Sequence, residues 1–171
     1  MEYAVLFLPL VGSILGYFGR PISKFFAEII TSLLVVIAAL LSILIFYNGI
    51  IFNDYGNYKI FEWINSGNFL ANWSINIDPI SSVMLVVVTF VSSLVHIYSI
   101  GYMSNDPFKP RFMSYLSLFT FSMLALVVSD NFLQLFFGWE GVGLCSYLLI
   151  GFWYKKEKAN NAAIKAFIVN R

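Results

Sequence analysis

The run from Phe132 to Tyr154, FLQLFFGWEGVGLCSYLLIGFWY, constrains this chain more than any other stretch. At about 1.5 Å per helical residue it is long enough to cross a bilayer. Its strongly polar side chains are Gln134 and Glu140, and only Glu140 ionises readily. An acid near the bilayer centre costs roughly 2.5–3.5 kcal/mol on insertion scales. Such a group usually faces a protein interior or a wet cavity, where it finds a partner or a proton. The alternative is a carboxyl kept protonated, or a fixed ion pair between helices.

Four further apolar spans accompany it: Tyr3–Gly19, Ala27–Ile51, Ile80–Met103 and Phe112–Val128. A polar connection, Asn53–Pro79, joins the second and third. An Ala-rich segment beginning at Ala159 reads as the start of a sixth helix. The fold class is therefore all-α integral membrane, with about five complete helices and the start of a sixth. Only 11% of the 171 residues are charged, against about 25% in a soluble domain, and mean hydropathy is +0.81. Glu2 stands where a signal peptide wants a basic residue, so Tyr3–Phe18 is read as a retained helix.

Several functions are excluded for the chain by itself. A net charge of +1 gives no reason to expect nucleic acid. One cysteine, Cys145, allows no intrachain disulfide and no iron–sulfur ligation, and one histidine cannot ligate a haem from both sides. No GxGxxG or GxxxxGK[ST] loop occurs.

With alternating helices, Arg20, Lys24, Lys109, Arg111, Lys155, Lys156 and Lys158 fall on one side and Lys59 on the other. Basic residues collect inside. The N-terminus and the 53–79 connection are thus expected outside, and the turns after spans one, three and five inside. Membrane lipid is the expected surround.

On a helical wheel Glu140 shares its face with Phe136, Gly143, Tyr147 and Gly151, while Gly138, Gly141 and Cys145 form a small-residue face suited to close helix packing. His96 shares a face with Ser92 and Ser99. It reads either as a packed, hydrogen-bonded histidine or as a proton relay, given an unperturbed pKa of about 6.5. Asp78-Pro79 reads as an N-cap with proline at the first helical position, and Asp130 or Asn131 as a cap for the fifth helix. Lys165 is placed to snorkel, whereas Arg171 lies deep enough to need a partner.

The segment from Arg111 to Tyr154 resembles chain 5 of NADH:ubiquinone oxidoreductase and its bacterial equivalent, chain L, of respiratory complex I. SSLVHIYSIGYM (Ser92–Met103) resembles that family's third helix, AAIKAFIVNR (Ala162–Arg171) the opening of its sixth, and FLPLVGSILGYFGR (Phe7–Arg20) its start. GWEGVG followed by SYLLIGFWY carries the most specific part of the likeness. The resemblance implies an antiporter-like transmembrane helix bundle. It implies a membrane-arm subunit coupling NADH oxidation and quinone reduction elsewhere in the complex to proton translocation. Glu140 matches the family's fifth-helix glutamate, which pairs with a lysine on a later helix. Arg171 matches the arginine of an NRxGD motif and is a charge-partner candidate. His96 matches a third-helix histidine, a relay candidate.

No cofactor is implied on this chain; NADH, FMN, iron–sulfur clusters and quinone belong elsewhere in the complex. Implied partners are other membrane-arm subunits, with chain 4 as neighbour, and the remainder of a longer subunit. The expected location is a mitochondrial inner or bacterial plasma membrane. Residues 1–111 are expected to form the first three helices with their connection, and 112–171 to begin the translocating module. Two other readings stay open: the large subunit of a multi-subunit sodium/proton antiporter, and a structural membrane segment.

Overall fold

The computed structural model describes residues 1–19, 24–67 and 69–170. Among these, six helices and a two-stranded sheet follow in the order α1 (Glu2–Phe18), α2 (Lys24–Phe52), β1 (Gly56–Ser66), β2 (Phe69–Ile77), α3 (Pro79–Tyr102), α4 (Lys109–Val127), α5 (Phe132–Ile150) and α6 (Glu157–Val169). Four helices, α2 to α5, are long and apolar enough to cross a membrane, α2 from Phe25 onward. α1 is apolar but shorter, at 17 residues. The membrane-helix reading of the sequence therefore holds.

Local chemistry sets the boundaries. Asp78 accepts a hydrogen bond from the Ser81 backbone N–H at 2.6 Å, while the Ser81 hydroxyl accepts from the Asp78 N–H at 2.7 Å. This closes a capping box ahead of Pro79, as the sequence predicts. The Ser81 N–H also holds the Asp78 carboxyl below its ordinary range. At α5 the cap is Asn131, whose side chain accepts from the Gln134 N–H at 2.9 Å. Asp130 accepts instead from the Ser74 hydroxyl. α5 stops at Ile150, short of Tyr154, because the chain turns at Gly151 toward α6.

The helices pack through small residues. Gly12 and Gly16 of α1 meet Ser117 of α4 and Thr31 of α2. Ser114 and Ser117 of α4 donate to the Ser13 and Pro9 carbonyls of α1, at 2.6 and 2.8 Å. Between α4 and α5, a Cβ at Gly138 would lie 2.7 Å from the Leu126 backbone, and one at Gly141 2.9 Å from the Ser122 hydroxyl. The small-residue face of α5 thus packs where the wheel places it.

The 53–79 connection is an antiparallel hairpin rather than a plain polar link. Its register runs from Gly56 opposite Ile77 to Ser66 opposite Phe69, with irregularities at Lys59/Phe61 and Glu62/Ile64. Alternation explains it: Ala71, Ile75 and Ile77 of β2 point inward and are buried. Ile75 and Ile77 join Val5 and Leu6 of α1, Leu85 of α3 and Leu124 of α4 in one core. The hairpin therefore folds down onto one end of the bundle. Trp73 stacks against Phe61 and meets Phe137 of α5 edge-on.

Two cations at the opposite end are less loop-like than the sequence suggests. Lys109 is buried in a 2.7 Å ion pair with Glu28 of α2. Arg111 lies among the rings of Phe108, Phe152 and Tyr154, and its guanidinium donates to the Phe152 carbonyl. That contact ties the start of α4 to the end of α5.

Candidate functional site

Glu140 stands eight residues beyond the start of α5 and ten before its end. At about 1.5 Å per residue this is near mid-span. α5 turns its small residues to α4, which leaves the Glu140 face for α6. Gly143, Tyr147 and Gly151 of that face meet α6 or the residue just after it. A Cβ at Gly143 would lie 2.8 Å from the Asn170 amide, and one at Gly151 3.3 Å from Ala163. Tyr147 packs on Phe167 with ring centroids 5.6 Å apart. The Trp139 indole N–H donates to the Asn170 carbonyl at 3.2 Å. Glu140 is partly buried. It borders a cavity of about 370 Å³ shared with Phe121 and Ser122 of α4, Cys145 of α5 and Phe167 of α6.

The arrangement is a carboxyl at mid-span, at the edge of an open, largely apolar groove between α4, α5 and α6. Such a group can hold or release a proton when a nearby charge changes, because an opposite charge favours its ionised form and loss of that charge favours the protonated one. Arg171, the charge-partner candidate, lies outside the described residues. Its sequence neighbour Asn170 packs against α5 at the level of Gly143 and Trp139.

His96 is fully buried on α3. Its Nδ1 lies 2.8 Å from the Ser92 carbonyl oxygen, which can only accept, so the proton sits on Nδ1. Nε2 is then an acceptor, and it is buried with no hydrogen-bond partner among the described residues. Ser92 in turn bonds Thr120 of α4. The structure does not gather His96 and Glu140 into one cluster. Thr120 and Ser122 point to opposite sides of α4, the first to α3 and the second to α5. Ser99, expected on the histidine's face, donates to the Val95 carbonyl.

Two features escape the sequence reading. One is the Glu28–Lys109 pair, because Glu28 looks like the edge of a span and Lys109 like a loop charge. The only signal for it is an acid placed just inside an apolar run. The other is Gln134. Its side-chain oxygen accepts from the Ser74 N–H at 3.1 Å, and its amide donates to the Ser74 carbonyl at 2.7 Å. It thereby locks the hairpin to α5. Among the described residues no three His, Cys, Asp or Glu side chains come together as a metal site requires.

Residues 63–113 match the sequence family described as NADH-ubiquinone oxidoreductase (complex I), chain 5 N-terminus. Residues 129–171 match the family described as NADH:quinone oxidoreductase/Mrp antiporter, transmembrane. The chain is 56% identical over 168 residues to NADH-quinone oxidoreductase subunit L of Rickettsia typhi, covering 98% of this chain and 26% of that protein. It is 52% identical over 172 residues to NADH-ubiquinone oxidoreductase chain 5 of Arabidopsis thaliana, covering 100% of this chain and 26% of the relative. Chain 5 of Phytophthora infestans is also 52% identical, over 170 residues. The chain thus spans about a quarter of the length of these relatives.

Proposed function

Because this chain belongs to the family of NADH-quinone oxidoreductase subunit L and NADH-ubiquinone oxidoreductase chain 5, we propose that it acts in proton translocation by respiratory complex I, with Glu140 as a proton-carrying group. The observation that carries the reading is the position of Glu140: mid-span, on the face of α5 that meets α6, beside a cavity. NADH oxidation and quinone reduction take place on other subunits, where FMN and the iron–sulfur clusters belong. The residues from 112 onward begin the translocating module; those before it supply α1 to α3 and the hairpin. Neighbouring membrane-arm subunits, including chain 4, and membrane lipid are the partners.

The chain spans the mitochondrial inner membrane or a bacterial plasma membrane several times, with the hairpin and the N-terminus outside. Glu140 changes proton affinity when a positive group nearby approaches or withdraws. Moving one charge across the membrane involves about 2.3 kcal/mol per 100 mV, so a modest change in pairing energy suffices. Arg171 and His96 are proposed as charge partner and relay.

The antiporter reading shares this helix bundle, and the match over residues 129–171 covers both kinds of protein. The match to the chain 5 N-terminus over residues 63–113 favours complex I. The deciding experiment replaces Glu140 by Gln in the complete subunit and measures protons moved per NADH oxidised in sealed membranes. Pumping is expected to fall severalfold while the complex still assembles. An assembled variant that pumps normally refutes the assignment.

A further inference from the structure

We infer that Glu28 and Lys109 form a second carboxylate–ammonium pair on the proton route, placed at the mouth of a row of buried polar groups between α2, α3 and α4. The inference rests on the translocation reading above. The pair is 2.7 Å long, with the two residues only 8% and 6% exposed. Burying two charges generally costs more in desolvation than their attraction returns, and an apolar pair of the same size is often as stable. Stability alone is therefore a weak reason for this pair, and what lies above it supplies another.

Two hydroxyl contacts set the register of the three helices. Ser42 of α2 meets Thr89 of α3 at 2.7 Å, so counting away from that contact places Ser32 opposite Ser99 and Glu28 opposite Met103. Ser92 of α3 meets Thr120 of α4, which places Lys109 opposite Met103 as well. Both counts bring Glu28 and Lys109 to one level, where the ion pair is found. Rising along α3 from Met103, Ser99 stands at about 6 Å, His96 at about 10 Å, Ser92 at about 16 Å and Thr89 at about 21 Å. Ser92 and His96 touch directly, the ring Nδ1 lying 2.8 Å from the Ser92 carbonyl oxygen and 3.4 Å from its hydroxyl.

Two groups in this row are buried with a polar atom that has no hydrogen-bond partner among the described residues, Ser32 Oγ and His96 Nε2. Buried polar atoms are almost always paired, with ordered water where protein is lacking. The row ends at the depth of Glu140. Gly141 lies against Ser122, so Glu140 is level with Met123, and the α3–α4 register sets Met123 opposite Thr89. The pair thus guards a hydrated inlet that reaches from the end of the bundle bearing Lys155–Lys158 to mid-span. A proton entering from that end binds the Glu28 carboxylate as its bond to Lys109 loosens, and then passes by hydrogen-bonded water to His96 Nε2.

The test uses the double substitution Glu28→Gln with Lys109→Met in the complete subunit within its assembled complex. Both charges go together, so neither is left stranded in the interface. The readout is protons moved per NADH oxidised, with the amount of fully assembled complex measured alongside. At least a threefold drop is expected, with complex abundance and electron transfer in uncoupled membranes within twofold of the parent. His96→Phe, which fills the site of the unpaired nitrogen, is expected to give the same drop. An unchanged ratio in the double variant overturns the inlet. Glu140→Gln, measured alongside, separates the two proposals. If it loses pumping while the double variant pumps normally, only the inlet falls; if both pump normally, the translocation reading falls with it.

Discussion

Glu140 was legible in the sequence because an ionisable group inside an apolar run is expensive, and that cost can be read without knowing any neighbour. Its face was legible too, since helical periodicity alone separates Gly143, Tyr147 and Gly151 from Gly138, Gly141 and Cys145. What periodicity cannot say is which helix covers which face; α6 and α4 take those places through close contacts at Gly143 and Gly138. Glu28 and Lys109 were not legible as a pair because they lie far apart in sequence and each looks ordinary where it stands. Gln134 shows the same limit and yields a prediction. It is wholly buried and spends both polar atoms on the Ser74 backbone. Gln134→Leu keeps the bulk but leaves a buried N–H and C=O unpaired, at about 1–3 kcal/mol each. The expected result is a hairpin that opens: trypsin cleaves near Lys59 faster than in the parent, while α5 remains folded. Equal cleavage rates would show that Gln134 does not hold the hairpin.

Among the elements, helices were the easiest to read, because apolar length marks them and caps mark their starts. Asp78-Pro79 states the start of α3 outright, and the capping box is there. The hairpin was harder. Its strands alternate, but Asn-rich composition and two irregularities in register blur the pattern, and its inward residues are buried against helices rather than within the sheet. The α4–α5 contact gives the sharpest prediction at this scale. At Gly138 an added methyl would sit 2.7 Å from both the N and Cα of Leu126, atoms of the α4 backbone that cannot rotate away. Gly138→Ala must therefore push the helices apart. Overpacking of this kind typically costs about 1–3 kcal/mol. A lower melting temperature and reduced assembled complex are expected. Gly101, where none of the described residues lies within 4 Å of the added atom, should accept Ala without either effect and serves as the control.

For the whole molecule the open quantity is orientation, and the structure alters the charge count behind it. Lys109 is neutralised by Glu28, so it no longer counts as a free loop charge. At the other end Lys59 is paired with Glu62 at 2.7 Å, and that bond holds the Glu62 carboxyl below its ordinary range. The hairpin end therefore presents little net positive charge, whereas Lys155, Lys156 and Lys158 stand together and exposed beyond α5. The asymmetry that drives basic residues inward survives the correction. Cysteine labelling can test it with the parent subunit as background, the native Cys145 of this chain being only 1% exposed. Lys156→Cys in the complete subunit is expected to react with an impermeant maleimide only from the matrix or cytoplasmic side. Glu62→Cys, at the hairpin, is expected to react only from the opposite side. Reversal of the two would invert the topology. Both residues reacting from one side would mean that the helices between them do not cross an odd number of times, which would break the bundle assignment itself.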